Sequence, residues 1–297
     1  MSKIVKASEL VVPTIVVGGI YGQAGVGKST IALSAPQPLL IDTDGGVHRI
    51  NAEHRCDTVQ VKSYQDILDV LNEDLSAYES IVIDTLGEMV NFISNYFIAK
   101  DPSLVTRGGT LNIKIWGLIK AEFAMLKLKM KQLNKNLIFV AHEKEEKDGE
   151  TRVCRLDVAG STGKDVVKIL DFLGYCEMIG KRRTISFSPC QRYYAKNSIN
   201  LDDMIQIPTL DEGDENNFIS EMMIKPSIQR RNEAHAELVE RNKLMEQGRK
   251  IISGNEPNEA IKLMKDLGLP KYESQKLFQE LKASTEMIYN IDTKVFG

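Results

Sequence analysis

The sequence predicts an α/β fold, with a mostly parallel sheet flanked by helices and a small helical region after it. Three observations carry this. Apolar, β-branched runs alternate with stretches of helical spacing from residue 14 to about 205, the pattern of strands joined by crossover helices. A glycine-rich turn, residues 22–29, stands between the first such run and a helix start. Beyond residue 217 the strand pattern stops, and Glu, Arg and Lys dominate at helical spacing.

The elements follow in order. TIVVGGIY (14–21) is apolar and β-branched, a buried strand, and STIALSA (29–35) opens a helix. PLLID (38–42) is a second buried strand that runs into the polar turn Thr43-Asp44-Gly45-Gly46, and DTVQV (57–61) is a short edge strand. In SYQDILDVLNEDL (63–75), Ile67, Leu68 and Leu71 share one helical face. SIVIDT (80–85) is a strand, and LGEMVNFISNYFIAK (86–100) is a helix stopped by Asp101-Pro102. Residues 101–112 form a loop, and an amphipathic helix spans 113–134 with Lys120, Lys127 and Lys131 on one face, either solvated or in contact with nucleic acid. NLIFVAH (136–142) is a fifth strand, and residues 143–158 form a hairpin turning at Asp148-Gly149. Gly160 to Gly163 is a flexible loop, a helix runs to Leu170, and residues 174–188 form a closing hairpin. The acidic LDEGDENN (210–217) marks a linker, and helices cover 229–252, 257–267 and 271–285. The expected domains are a core over 1–205, a linker over 206–228 and a helical region over 229–297.

Composition excludes several classes. The 297 residues are 42% hydrophobic and 27% charged, ordinary for a globular chain. No run reaches the ~18 apolar residues of a membrane span, and the N-terminus MSKIVKASEL lacks an apolar signal core. No membrane association is expected, and a cytoplasmic location is, in a host cytoplasm if the chain is phage-encoded. The four cysteines form no C-x-x-C, as suits reduced thiols. The spacing of His48, His54 and Cys56 fits no common zinc pattern. With a net charge of −3, any nucleic-acid contact needs a local basic patch. Trp116, the only Trp, belongs in the core.

Gly22-Gln23-Ala24-Gly25-Val26-Gly27-Lys28-Ser29 matches G-x-x-x-x-G-K-[ST] in full, and Thr30 continues it into the helix. Glycines let backbone N–H groups converge on phosphate oxygens, and the helix start adds partial positive charge. Lys28 reaches the β- and γ-phosphates, and the Ser29 hydroxyl ligates Mg²⁺, so ATP and Mg²⁺ are the expected ligands. Asp84, ending Ser80-Ile81-Val82-Ile83-Asp84, is the acidic partner that orients the Mg²⁺ shell. Thr85 follows it where many motors carry Glu. Asp44 is the candidate base for the attacking water, provided the second strand neighbours the P-loop strand; alternatively it only shapes its turn. His142, ending the fifth strand, is a candidate γ-phosphate sensor or simply a strand end.

Together the P-loop, I-D-T-D-G-G (41–46), S-I-V-I-D-T (80–85) and F-V-A-H-E-K (139–144) resemble the RecA-like core, and within it the phage ATP-binding single-strand-annealing proteins with a shortened recombinase core. The resemblance covers residues 14–205. It implies a slow, DNA-stimulated ATPase that binds single-stranded DNA as a homo-oligomeric ring or filament and promotes annealing or recombination. A single-strand-binding protein is a candidate partner. It places the catalytic base at Asp44, where that family usually has Glu, and the sensor at His142, where it usually has Gln. The DNA loops then fall at 101–112, with Arg107, and at 146–166, with Lys164. The basic, aromatic stretch with Arg182, Arg183, Arg192 and Lys196 either contacts DNA, delivers a cation to a neighbour's ATP, or is a solvated hairpin. Other readings are an AAA-type motor or helicase loader, a small-molecule kinase, and a nucleotide-gated assembly protein that barely turns over. A G protein is disfavoured, since no N-K-x-D occurs.

Overall fold

The computed structural model describes residues 4–160, 162–285, 288–291 and 293–296. β1 (Val17–Gly22) leads through the glycine-rich turn into α1 (Lys28–Ala32). There follow β2 (Pro38–Asp42), β3 (Thr58–Gln60), α2 (Tyr64–Val70), β4 (Ser80–Asp84), α3 (Leu86–Lys100) and α4 (Ile113–Gln132). β5 (Asn136–Asp148), β6 (Thr151–Leu156), α5 (Thr162–Ile169), β7 (Phe172–Ile179), β8 (Arg182–Ser186), β9 (Lys196–Asn197) and β10 (Met204–Gln206) complete the sheet region.

The strand order is β10-β8-β7-β1-β5-β4-β2-β3, with β6 paired to β5 and β9 to β7. From β7 to β3 every neighbour is parallel. β8, β10, β6 and β9 join antiparallel. The mostly parallel sheet flanked by helices is the fold the alternation predicts.

Strand alternation splits the core into two layers. Leu39, Ile41, Ile81, Ile83, Leu137 and Phe139 face α2, α3 and α4. Leu40, Val82, Ile138 and Val140 face the opposite way, with Val26 and Ile31 of the P-loop and α1. Trp116 packs beside the first layer, its ring filling the space where a Cβ on Gly160 would stand.

Several expectations change. α1 ends at Ala32, short of residue 35, because Pro36 has no N–H to continue the helix and disfavours helical backbone at Ala35. β2 does not neighbour β1; β5 and β4 lie between them. The fifth strand does not end at His142, since β5 runs on into the hairpin with β6. The loop expected over 146–166 is therefore largely regular, as hairpin and then α5. Residues 206–228, expected as a linker, carry Ile207, Phe218, Ile219, Met223 and Ile224 buried in the second core layer. The Asn216 side chain donates to Thr30 O (2.8 Å), and Ser220 N to Ser34 O (3.1 Å), which occupies carbonyls at the end of α1.

Two compact units result: Thr14–Ile228, and Gln229–Gly297 with Met1–Pro13. The second unit holds most of α6 (Lys225–Gly254), with α7 (Pro257–Lys265), α8 (Lys271–Ser284) and a small ribbon of β11 (Tyr289–Asn290) and β12 (Val295–Phe296). Met245, Ala260, Met264, Leu277, Leu281 and Phe296 form its own core. Among the described residues no helix is long and apolar enough to cross a membrane.

Candidate nucleotide site

The P-loop hangs between β1 and α1. Gly22 has φ 142°, and a Cβ there would stand 2.0 Å from the Cys176 carbonyl oxygen of β7, so only glycine lets the strand leave the sheet at this point. Gly25 (φ 75°) and Gly27 (φ 87°) continue the turn with the left-handed backbone that glycine favours. Gln23 ties the loop to β7: its N donates to Cys176 O (3.2 Å), and its Oε1 accepts from Met178 N (3.2 Å). Ala24 and Gly25 form the exposed crest, and Val26 is buried beneath it.

Lys28 is buried, and its Nζ donates to Gly22 O (2.9 Å) and Gln23 O (2.6 Å). Burial lowers the pKa of this ammonium, while the Asp84 and Glu143 carboxylates oppose the shift. The ammonium thus lies under the loop, at the centre of its carbonyls.

β4 delivers Asp84 beside this loop, 8% exposed. Burial raises its carboxyl to about pKa 6; the nearby Ser29 hydroxyl opposes the rise, and the Asp44 and Asp42 charges add to it. A buried carboxyl near a P-loop serine hydroxyl, with further acids nearby, fits a divalent cation with a preference for hard oxygen ligands. Among the described residues no cluster of three or more His, Cys, Asp or Glu could hold a metal alone. Mg²⁺ takes one or two protein oxygens and completes its shell with phosphate and water.

The second strand reaches the site through the β4 edge. Asp42 pairs with Asp84 in register. The buried Asp42 carboxylate accepts from Gly46 N (3.0 Å) and Val47 N (3.2 Å), shaping the turn. Asp44 is exposed; its Oδ1 accepts from Gly46 N (2.9 Å), while its charge still acts on Asp84. It therefore shapes the turn and also stands near the acidic pair. His142, exposed on β5, lies opposite Gly22 in register, and its charge acts on Asp84.

Two neighbours escaped the sequence reading. Thr43 is buried, and its Oγ1 accepts from Thr85 N (2.6 Å) and donates to Thr85 O (2.9 Å), clamping the ends of β2 and β4 together. Its only signal was its place in Asp42-Thr43-Asp44. Glu143 accepts from the Tyr175 hydroxyl (2.7 Å) and acts on Lys28; it directly follows His142 in F-V-A-H-E-K.

The basic candidates separate. Arg192 donates to Glu177 (2.6 Å), whose nearly buried carboxylate needs a counter-charge, so it is committed within its own chain. Lys196 donates to Val167 O (3.0 Å) and Lys168 O (3.1 Å), capping the C-terminal end of α5. Arg183 lies against Gly27 of the same chain's P-loop, so it needs no neighbour to reach a phosphate site. Arg107, in the turn bridged by Val105 and Leu111, and Arg182 are exposed. Lys164 lines a cavity of about 280 Å³ with Lys144, Arg155, Val158, Gly160 and Tyr194.

No curated protein matches this chain. Among solved structures, that of the RadB recombinase is similar over 59% of this chain and 80% of that chain, at 16% identity and a TM-score of 0.37. A family described as an AAA domain matches residues 16–199, from the start of β1 past β9, and takes in the P-loop, Asp84 and His142. The chain belongs to the AAA domain family.

Proposed function

We propose that this protein binds ATP with Mg²⁺ at residues 22–30, hydrolyses it slowly, and assembles on single-stranded DNA as a homo-oligomer that promotes annealing or recombination. The observation that carries the nucleotide part is the buried Asp84 carboxyl at the end of β4, next to Ser29 of the P-loop, with Lys28 under the loop. Lys28 holds the phosphates, and Ser29 and Asp84 hold the metal. Bound Mg²⁺ neutralises phosphate charge and orients the triphosphate. Asp44, which comes near Asp84 at the β4 edge although β2 does not neighbour β1, accepts the proton of the attacking water, and His142 senses the γ-phosphate at the end of the β1 register. The DNA part rests on the resemblance of residues 14–205 and on exposed cations, Arg107 in its loop and Lys164 beside Tyr194. A single-strand-binding protein fits the same reading as a partner.

The AAA domain match favours a second reading, a motor or helicase loader of DNA replication. Thr85 after Asp84, in place of the Glu such motors usually carry, speaks against it. ATP hydrolysis with and without single-stranded DNA at low salt, alongside annealing of complementary strands, tests both. The proposal expects stimulation and annealing. Strand unwinding or stimulation without annealing favours the second reading, and no DNA binding at low salt contradicts the DNA part.

A further inference from the structure

Lys181-Arg182-Arg183 opens β8, and strand alternation sends its members to opposite faces. Arg183, Ile185 and Phe187 share one face. Ile185 and Phe187 are buried in the core layer that holds Val26 and Ile31 of the P-loop and α1. Arg183 therefore points to the P-loop side, and Arg182 points away. The register agrees: Arg183 stands opposite Met178, whose N–H is bonded to the P-loop's Gln23 side chain (3.2 Å).

The approach is close. A Cβ on Gly27 would stand 3.0 Å from Arg183 Nη1, so the missing side chain at Gly27 makes room for the guanidinium. Arg183 is half-buried, and among the described residues its guanidinium makes no hydrogen bond or ion pair. Arg192 and Lys196, by contrast, are fully committed. A half-buried arginine fork without an anion, against a loop built to wrap phosphate, is a donor set in want of an acceptor.

We propose that Arg183 binds the triphosphate held by its own chain's P-loop, acting in cis. This rests on the P-loop reading above. The planar fork donates two N–H groups to phosphate oxygens from the β8 side, while Lys28 acts from beneath the loop. It makes β8 a third wall of the nucleotide site, next to the P-loop and the Asp84 strand.

The test is calorimetric titration of the full chain with inorganic triphosphate and with ATP, both with Mg²⁺. Arg183→Gln keeps a polar, unbranched side chain and removes the guanidinium that lies against Gly27; a wild-type-like thermal melt checks its fold. It should weaken both ligands by about tenfold or more. Arg182→Gln, on the opposite face, should leave both unchanged. Unchanged affinity for inorganic triphosphate in Arg183→Gln overturns the inference, even where ATP weakens, since the arginine then meets only the base or ribose. Adding Lys28→Ala chains to Arg183→Gln chains should restore nothing; recovery would put the arginine on a neighbouring molecule and overturn the cis assignment. If Lys28→Ala itself binds inorganic triphosphate normally, the P-loop reading fails. If only Arg183→Gln binds normally, this inference fails alone.

Discussion

Asp84 sits with Ser29, Asp42 and Asp44 around it, and burial keeps its carboxyl protonated up to about pH 6. Below pH ~4, the ordinary carboxylate range, the group is protonated both folded and unfolded. Between about 4 and 6 the unfolded chain gives up its proton first, so the native state binds more protons and loses stability as the pH rises. The shift of roughly two units is worth on the order of 3 kcal/mol. Asp84→Asn should therefore raise the nucleotide-free melting temperature at pH 7.5 and change it little at pH 4.5, while Mg²⁺-dependent ATP affinity is lost. Melts at the two pH values check this, and an equal gain at both would contradict it. Asp44 is a different case, exposed and bonded to Gly46 N. Asp44→Asn should lower hydrolysis by about 100-fold or more with ATP affinity retained. Single-turnover rates check it, and an unchanged rate removes the base role.

Thr43 shows what joins two strand ends at the site. Its hydroxyl serves both the N–H and the C=O of Thr85, and all three groups are buried. Thr43→Val keeps the shape and leaves the Thr85 N–H unpaired, while Met89 N still donates to the Thr85 carbonyl (3.1 Å), at a cost of about 2 kcal/mol. The melting temperature should drop accordingly, and Thr43→Ser should recover most of it; equal melting for Val and Ser would contradict the clamp. Much at this scale was legible in the sequence. Thr85 and Lys100 bound α3 as the stop at Asp101-Pro102 implies, because caps and prolines act locally. β4 and the β5–β6 turn were legible for the same reason. The neighbour of β2 was not. Sheet order is set by where a crossover lands, and β5 lands between β1 and β4. The course of β5 past His142 was hidden too, because Glu143 to Lys147 are polar, as an exposed hairpin arm must be, and carry no apolar signal.

For the whole molecule, the proposed nucleotide residues, from Gly22 to Arg183, all lie within the unit Thr14–Ile228. That unit reaches past the acidic stretch at 210–217, since Phe218, Ile219, Met223 and Ile224 bury themselves beside the P-loop helix. Turn-rich composition marked the stretch as a linker, and four apolar residues just after it overrode that signal. The basic residues were legible by type and not by commitment: Glu177 and the carbonyls at the end of α5 that hold Arg192 and Lys196 are distant in sequence. Under the proposed function, Lys28, buried under residues 22–29, grips a triphosphate. Calorimetric titration of Lys28→Ala with ATP and Mg²⁺ should show affinity reduced by about 100-fold or more with the melt intact; affinity equal to that of the unaltered chain would mean that Lys28 holds no phosphate.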